Sequence, residues 1–284
     1  MITKNLICAV LLFAVTPAFA GEVFHEEFER LDAWEPLTFP KVEQHSQYRI
    51  EEKDGASVLR AESEASASGL VSKATIDVYE YPELSWRWKV ANIYTNTDVL
   101  SKEGDDYPIR IYVLFEYDPD RASLRQRIQY RAARLLYGEY PPHSTLNYVW
   151  ASAEDAPKVY PNPFTDRARM IPLRRGTAQV GEWVEESVHI LEDYRRVFGE
   201  EPPRQARIAI MNDSDNTGEA SVSWVDWIRT PRPKRICSPI LFAVPLHAPS
   251  MLRSHFDKCD PAQGGLDDSF SKALRRGSLD LASR

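Results

Sequence analysis

The chain has 284 residues, of which 43% are hydrophobic and 27% charged, as in an ordinary globular protein. Its 35 basic and 42 acidic residues give a formal net charge of -7. This charge excludes general nucleic-acid binding, which needs a basic surface overall, but it is compatible with a local basic patch.

The first element in the chain is a predicted secretory signal peptide. Lys4 precedes an apolar run from Leu6 to Val15, and small residues at Ala18 and Ala20 stand where a signal peptidase reads. We therefore expect cleavage after Ala20 and a periplasmic or secreted mature protein. No later run approaches the roughly 20 apolar residues that a membrane helix needs, so no transmembrane segment is expected.

Short segments of alternating apolar and polar residues dominate the rest. In LSWRWKV, Leu84, Trp86 and Trp88 share one face, and PIRIYVLFEY alternates in the same way. Further candidate strands are TLNYVWA, ARMIPL, EWVEESVHI, ARIAIMN and SVSWVDWIR, and residues 46–51 and 57–62 are predicted to pair across a turn at Lys53-Asp54-Gly55. Roughly ten strands predict an all-β domain over residues 21–233, an antiparallel two-sheet β-sandwich of the jelly-roll type.

One segment departs from this pattern. Asp118 can cap a helix with Pro119 at its first position, and apolar residues then recur at helical spacing. We expect an α-helix over about 119–137, inserted between strands. Its other faces carry Arg121, Arg125, Arg127, Arg131 and Arg134. These arginines form either a solvated helix surface or a rim that attracts an anionic ligand such as an acidic glycan.

The C-terminal tail, residues 234–284, differs from the rest in composition. Scattered proline, serine and arginine with few aromatic residues predict a partly disordered segment. It holds Cys237 and Cys259, and an oxidising compartment would allow these two to pair in a bridge that staples the tail.

Several segments carry a resemblance to a known family. DDYPIRIYVLFEYD, YVWAS, GEWVEE, EDYRRVFGE and NDSDNTGEASVSWVDWIR resemble, in this order, a bacterial family of exported proteins called domain of unknown function 3047 (DUF3047). With SASGLVSK and LSWRWKV they cover most of residues 24–229. The resemblance implies a β-sandwich similar in outline to carbohydrate-binding modules, and it implies no established activity.

The stretch MNDSDNTGEAS resembles the first half of a calcium loop. Asp213, Asp215 and Thr217 alternate before a glycine, so their oxygens can face one point. The twelfth position is Trp224, where a helix-loop-helix calcium site needs glutamate, and that motif is excluded. A calcium site here would need ligands from a distant segment, and the alternatives are a polar turn or a ligand-binding or catalytic loop.

A second acidic loop, GDDYP, supplies Asp105 and Asp106 just before a predicted strand. Either is a candidate distant ligand for calcium. Together with Asp213 and Asp215 they are candidate catalytic residues, because a glycosidase uses a pair of carboxylates as acid and base or nucleophile. Arg87 is the candidate charge stabiliser in such a site. A polysaccharide hydrolase or lyase is therefore one alternative function.

Exposed aromatic side chains indicate another way to hold a glycan, because the apolar faces of sugar rings stack on tryptophan or tyrosine. Trp86, Trp88 and Trp224 alternate with polar residues on strand faces shared with aliphatic side chains, which predicts that they lie in the core. Asp226 is expected either to pair with Arg87 or to line a groove. The candidate ligand-binding residues are Arg87, Tyr148, Trp150, Asn216, Asp226 and Trp227.

Common catalytic signatures do not occur. The chain has no G-x-S-x-G elbow, no P-loop, no dinucleotide fingerprint and no closely spaced zinc-binding histidines. The favoured function is an exported β-sandwich that binds a carbohydrate or a similar polar ligand. The alternatives are the polysaccharide-acting enzyme and a structural envelope protein with a protein partner. Calcium is the cofactor that the acidic loops indicate, and no nucleic-acid partner is expected.

Overall fold

A computed structural model describes residues 24–39, 41–120, 122–125, 127–128, 130–131 and 140–231. The chain divides into residues 1–234 and 235–284, and every described residue belongs to the first unit. The predicted signal peptide and the tail with Cys237 and Cys259 lie outside the described residues. Among those described, no helix has the length and apolar character needed to cross a membrane.

The described residues form two sheets, of six and eight strands. The six-stranded sheet contains β1 (His25–Glu26), β3 (Gln47–Lys53), β4 (Ala56–Glu64), β7 (Glu83–Val90), β12 (Val184–His189) and β14 (Ala220–Arg229), ordered β12-β7-β14-β4-β3 with β1 on β14. The eight-stranded sheet contains β2 (Trp34–Leu37), β5 (Ala67–Ser72), β6 (Ile76–Asp77), β8 (Arg110–Phe115), β9 (Ser144–Ala151), β10 (Tyr160–Asn162), β11 (Thr165–Arg175) and β13 (Gln205–Asp213), ordered β10-β11-β9-β8-β13-β5-β2 with β6 on β13.

The predicted all-β, jelly-roll-like sandwich is confirmed. One detail differs, because β9 and β11 run parallel while the other described strand pairs are antiparallel. The eight-stranded sheet is therefore mixed. A parallel pair needs a long connection, which here passes through β10 and its hairpin with β11.

The core lies between the sheets and contains the inward residues of the alternating strands. In β7 the buried positions alternate as predicted, so that Trp86 and Trp88 face inward. Their rings pack against Tyr148 and Trp150 of β9, at centroid distances of 5.5 and 6.0 Å. Burial of a ring of this size removes about 150–250 Å² from water and contributes about 4–6 kcal/mol before entropy is subtracted.

The predicted hairpin of β3 and β4 is also observed. Lys53 pairs with Ala56 across a two-residue turn, in which Asp54 and Gly55 have φ of 54° and 83°. Two successive positive φ angles define the type I′ turn that suits the twist of a hairpin, and Asp-Gly is a preferred sequence for it.

Helix is limited in the described residues. Residues 124–125, 127–128 and 130–131 are helical, in agreement with the predicted insertion as far as it is described, and Leu124 and Ile128 are exposed there. A further helix, α1 (Ile190–Phe198), was not predicted. The side chain of His189 accepts a hydrogen bond from the backbone of Glu192 at its start, and Gly199 ends it with φ of 71°.

A bulge in β14 decides which side chains face outward. Its pairing with β7 shifts register between Val225 and Trp227. Val225 and Ile228 therefore both belong to the core, while Trp224 lies on the other side of the sheet, beneath the side chain of Lys53. Trp224 is buried as predicted, at 6% exposed, but on the outer side of the sheet and not between the two sheets.

Candidate functional site

The two predicted acidic loops meet at one end of the eight-stranded sheet. Asp105 and Asp106 precede β8, and Asp213 ends β13, the antiparallel neighbour of β8. Carboxylate oxygens of Asp106, Asp213 and Asp215 lie within 4.8 Å of one another, a spacing that could hold a metal ion. We call Asp105, Asp106, Asp213 and Asp215, with Arg110 between them, the acid cluster.

Arg110 is the central residue of the acid cluster, and sequence analysis did not single it out. Its guanidinium pairs with the Asp213 carboxylate, its Nε donates to Asp213 Oδ1 at 2.9 Å, and its Nη2 donates to the Asp105 carbonyl oxygen at 3.1 Å. The guanidinium also lies 4.7 Å from the centre of the Tyr107 ring. The available signal was an arginine at the start of an apolar strand, four residues after the second of two adjacent aspartates.

Asp106 holds the turn that follows β13. It accepts hydrogen bonds from the Asn216 side chain at 2.9 Å and from the backbone nitrogens of Asn216 and Thr217 at 3.1 and 2.6 Å. The Thr217 hydroxyl accepts a hydrogen bond from the backbone of Glu219, and Asn216 serves the turn. Of the predicted ligands, Asp213 and Asp215 lie in the group that could hold an ion, Asp106 joins them, and the role of Thr217 stays a prediction.

Asp105 is the least compensated member of the acid cluster. Its Oδ2 accepts from Asn162 at 2.8 Å and lies 3.6 Å from Arg110, while its buried Oδ1 has no hydrogen-bond partner among the described residues. Burial raises the pKa of Asp105, against the opposing charge of Arg110. Burial and the negative charge of Asp106 likewise raise the pKa of Asp215. Four carboxylates thus surround one guanidinium.

The acid cluster is not open to a polymer. Asp105, Asp106 and Asp213 are 4%, 1% and 1% exposed. Arg87, the predicted charge stabiliser, is not near them, because it projects from β7 in the other sheet and pairs with Asp226 at 2.8 Å. The structure therefore joins the four predicted acids but separates them from Arg87, which corrects the predicted catalytic set.

Two predicted ligand-binding residues lie in the core. Tyr148 and Trp150 are completely buried on β9 between the sheets, so neither ring is accessible from outside, which corrects their predicted binding role. The Tyr148 hydroxyl donates to Asp193 of α1 at 2.9 Å, and burial raises the pKa of Tyr148 well above its ordinary value. The Trp150 indole donates to the Gly176 carbonyl at 3.3 Å.

Three other tryptophans lie outside the core on the six-stranded sheet. Trp224 and Trp227 belong to β14, and Trp183 immediately precedes β12. Trp224 pairs in register with Lys89, and Trp227 with Arg87, so these side chains share the outer side of the sheet. We call Trp183, Trp224 and Trp227, with the charged residues around them, the tryptophan face.

Cationic side chains lie over each ring of the tryptophan face. Lys53 Nζ is 4.2 Å from the Trp224 ring centre, and the Arg87 guanidinium is 5.1 Å from that of Trp183. The Arg229 guanidinium is 4.0 Å from the Trp227 ring centre. Contacts of this kind contribute about 0.5–1 kcal/mol each at exposed sites, so they help to hold the rings in place. Trp183 and Trp227 stay partly exposed, whereas Trp224 is buried.

Two of these rings are also fixed by their indole nitrogens. Trp183 Nε1 donates to Asp54 at 2.9 Å and Trp224 Nε1 donates to Glu51 at 2.6 Å. Asp54 lies at the tip of the β3–β4 hairpin, so the first bond ties that tip to the start of β12, at the opposite edge of the sheet. The hydrogen bond from Trp183 and the nearby charges of Lys89, Lys53 and Arg87 lower the pKa of Asp54.

A polar groove of about 570 Å³ adjoins the tryptophan face. Its lining includes Gln44, His45, Gln47, Glu62, Ser63 and Ser221. Glu62 connects the two features, because it accepts a 2.5 Å hydrogen bond from Arg60 Nε, and the Arg60 guanidinium lies 5.4 Å from the Trp224 ring centre. The groove floor is fixed by hydroxyl groups, since Ser63 and Ser221 both bond to the Tyr94 hydroxyl.

A family model described as "Protein of unknown function (DUF3047)" matches residues 32–229. No curated protein matches the chain. Similar solved structures include a family 11 carbohydrate-binding module of a cellulase from Clostridium thermocellum, which is 10% identical with a TM-score of 0.36 over 74% of this chain and 95% of that one. An adhesin domain of Lys-gingipain from Porphyromonas gingivalis is 9% identical, with a TM-score of 0.35 over 75% and 99%. Endoglucanase 3 of Trichoderma harzianum is 8% identical, with a TM-score of 0.34 over 74% and 97%.

Proposed function

Because the chain belongs to the DUF3047 family, whose description assigns no function, we propose its function from the structure: it is an exported protein that binds a carbohydrate on the tryptophan face. The observation that carries this proposal is the outward placement of Trp183 and Trp227, both partly exposed, on one side of one sheet, beside the largely covered Trp224. The remaining four of the seven tryptophans, Trp34, Trp86, Trp88 and Trp150, lie in the core.

The outward tryptophans are chemically suited to sugar rings. A sugar presents apolar C–H faces that stack on an indole, while its hydroxyls need donors and acceptors around the ring. The Arg87 and Asp226 pair beside Trp227 offers both kinds of group. Three of the six predicted ligand-binding residues therefore lie together here.

The polar groove extends the proposed site. Glu62 and the groove's amide and hydroxyl side chains can bond several sugar hydroxyls at once. Because Arg60 contacts both Glu62 and Trp224, a ligand of more than one sugar can stack on the tryptophan face and extend into the groove. A groove of this size is within the range of small-molecule and glycan sites.

Binding is favoured over turnover because of where the carboxylates lie. Three of the four acids of the acid cluster are buried, and one of these, Asp213, is already paired with Arg110. A glycosidase needs two carboxyl groups that both reach the scissile bond from opposite sides. On the tryptophan face, Asp226 is held by Arg87 and Asp54 by Trp183. The polysaccharide-acting enzyme therefore has less support than the binding protein.

The test is a glycan array that is read for retention and for new reducing or unsaturated ends. We expect retention without new ends. Trp227→Ala should weaken retention at least about tenfold, which is about 1.4 kcal/mol of binding free energy. Phe164→Ala is the matched control, because Phe164 is 57% exposed but lies beside β11 in the other sheet. Equal loss in both variants, or retention that Trp227→Ala leaves unchanged, would count against the tryptophan face.

The export part of the proposal depends on the predicted signal peptide. If it is correct, the protein recovered from a periplasmic or culture fraction begins at Gly21. Mass spectrometry of the intact chain would show this. A chain that retains Met1 and stays in the cell interior would contradict export while leaving the glycan proposal open to its own test.

We propose calcium binding at the acid cluster as a second property, on the observation that four carboxylates surround one guanidinium. Buried carboxylates without a counter-charge are costly, and carboxylate oxygens are the ligands that calcium prefers. Calcium in hundredfold excess over its Kd would add about 2.7 kcal/mol of stability and raise Tm by about 5–10 °C. Asp215→Asn should abolish this rise, whereas Asp166→Asn, an exposed control on β11, should not. A Tm that neither calcium nor a chelator changes would remove the metal proposal.

A further inference from the structure

The charges of the tryptophan face indicate which class of glycan it binds. Three of its cations already have acidic partners, since Arg49 and Arg60 both pair with Glu62, and Arg87 pairs with Asp226. These pairs neutralise one another and leave little net charge for a ligand.

Three further cations lie over the rings without an acidic partner. Among the described residues, no carboxylate oxygen lies within 4.0 Å of the side-chain nitrogens of Lys53, Lys89 or Arg229. Their charged groups lie 4.2, 5.7 and 4.0 Å from the ring centres of Trp224, Trp183 and Trp227 respectively. They place positive charge that no close ion pair neutralises on a protein whose net charge is -7.

The cations also follow the pairing of the strands. Arg49 pairs with Arg60, Arg60 with Trp224, and Trp224 with Lys89. Because neighbouring strands lie about 4.8 Å apart, this row crosses the sheet over about 14 Å. An extended glycan of about three sugars has a similar length, so a chain that runs across the strands meets a cation at each end of this row, with Trp224 between them.

The environment of Asp54 agrees with a local positive potential. The indole of Trp183 donates to this exposed carboxylate, and the charges of Lys89, Lys53 and Arg87 act on it, so its pKa is lowered. One carboxylate at the hairpin tip thus faces three cations. An anionic group on a ligand that approaches beside it would meet Lys53 and Lys89.

We infer that the ligand of the tryptophan face is an anionic glycan, whose carboxylate or sulfate groups contact Lys53 and Lys89 while its sugar rings stack on the indoles. This inference rests on the proposed carbohydrate function. It specifies that the ligand carries negative charge, because the three indole rings alone would suit a neutral glycan equally well.

The experiment compares the affinity of the full chain for four probes of similar length. These are an oligogalacturonate, which carries carboxylates, a heparin oligosaccharide, which carries sulfates, a neutral cello-oligosaccharide and a single-stranded DNA. We expect the oligogalacturonate or the heparin fragment to bind tightest, and the better of the two identifies the anionic group. The affinity should fall as salt is raised, because the contacts are at the surface.

The variants separate charge from stacking. An exposed ion pair contributes a factor of about 1.4 to 5 in affinity, so Lys53→Gln with Lys89→Gln should weaken binding of the anionic probe about 2- to 25-fold, and by a larger factor than binding of the neutral probe. Lys102→Gln is the matched control, because Lys102 lies 5.3 Å from the centre of the exposed Phe164 ring, elsewhere on the molecule.

Each outcome separates this inference from the proposed function. Equal or tighter binding of the neutral probe would overturn the anionic inference while supporting carbohydrate binding. Binding of DNA as tight as that of the anionic glycans would overturn it also, because charge alone would then explain the affinity. No binding to any of the three glycans would overturn both the anionic inference and the proposed carbohydrate function.

Discussion

The buried pair of Arg110 and Asp213 gives the sharpest stability prediction. The two side chains are 3% and 1% exposed, and Asp213 also accepts a 3.4 Å hydrogen bond from the backbone of Tyr107. Asp213→Asn keeps the shape but removes the charge. Arg110 then stays buried with Asp105 as its remaining acidic contact, at 3.6 Å. Breaking a buried pair on one side costs about 3–5 kcal/mol, so Tm should fall by about 6–20 °C.

Asp105→Asn is the matched variant, because the same change is made at a buried aspartate a few ångströms away. Burial already raises the pKa of Asp105, and Arg110 keeps its closer bonds to Asp213. Loss of this carboxylate lowers the excess negative charge of the acid cluster. We expect the free energy of unfolding at pH 7 to change by less than about 1 kcal/mol, toward greater stability.

Urea unfolding followed by tryptophan fluorescence would measure both variants. The four core tryptophans report loss of packing between the sheets. A large loss for Asp213→Asn with little change for Asp105→Asn is the expected result. Equal losses in the two variants, or a loss under about 1 kcal/mol for Asp213→Asn, would refute the assignment of Arg110 to Asp213 as its principal partner.

Three further predictions concern protons, the hairpin tip and a helix end. Because the pKa of Asp105 is higher in the folded chain than in the unfolded chain, the folded state binds this proton more tightly. The stability of the wild type relative to Asp105→Asn should therefore rise as the pH falls through the raised pKa. It should level off below the ordinary pKa of 3.8. Unfolding curves at several pH values would show it, and a relative stability that falls toward acid pH would contradict it. Trp183→Phe removes the donor to Asp54, so the pKa of Asp54 should rise toward its ordinary value in an NMR titration, and an unchanged pKa would mean that the lysines alone determine it. Gly199→Ala should destabilise the protein by about 1 kcal/mol or more in urea unfolding, because Gly199 has φ of 71° at the end of α1. Ala153→Gly, in a loop, is the control for the effect of exchanging alanine and glycine elsewhere in the chain.

The sequence predicted those parts of the fold that depend on local pattern. The alternation in β7 reflects one buried and one outer face, and the Asp54-Gly55 turn has its own backbone preference. The two acidic loops were proposed to act together, and they meet because one precedes β8 and the other follows β13, its antiparallel neighbour. Asp226 was expected either to pair with Arg87 or to line a groove, and the pairing is observed.

The parts that could not be predicted depend on neighbours in space. Residues on both faces of β9 are buried, so the alternation around Tyr148 and Trp150 does not distinguish core from surface. The bulge between Val225 and Trp227 inserts a residue and moves Trp224 and Ile228 to opposite faces, and nothing in the local composition marks it. The helix α1 has nine residues, too few for a clear helical period beside a strand.

The most direct test of the proposed function is an NMR titration that follows the indole N–H signals of all seven tryptophans while an oligogalacturonate or a neutral oligosaccharide is added. The proposal predicts that the signals of Trp183, Trp224 and Trp227 shift as the ligand binds and that those of Trp86, Trp88 and Trp150 do not. Binding that leaves the three outer signals in place would contradict the central claim that the tryptophan face is where the protein holds a glycan.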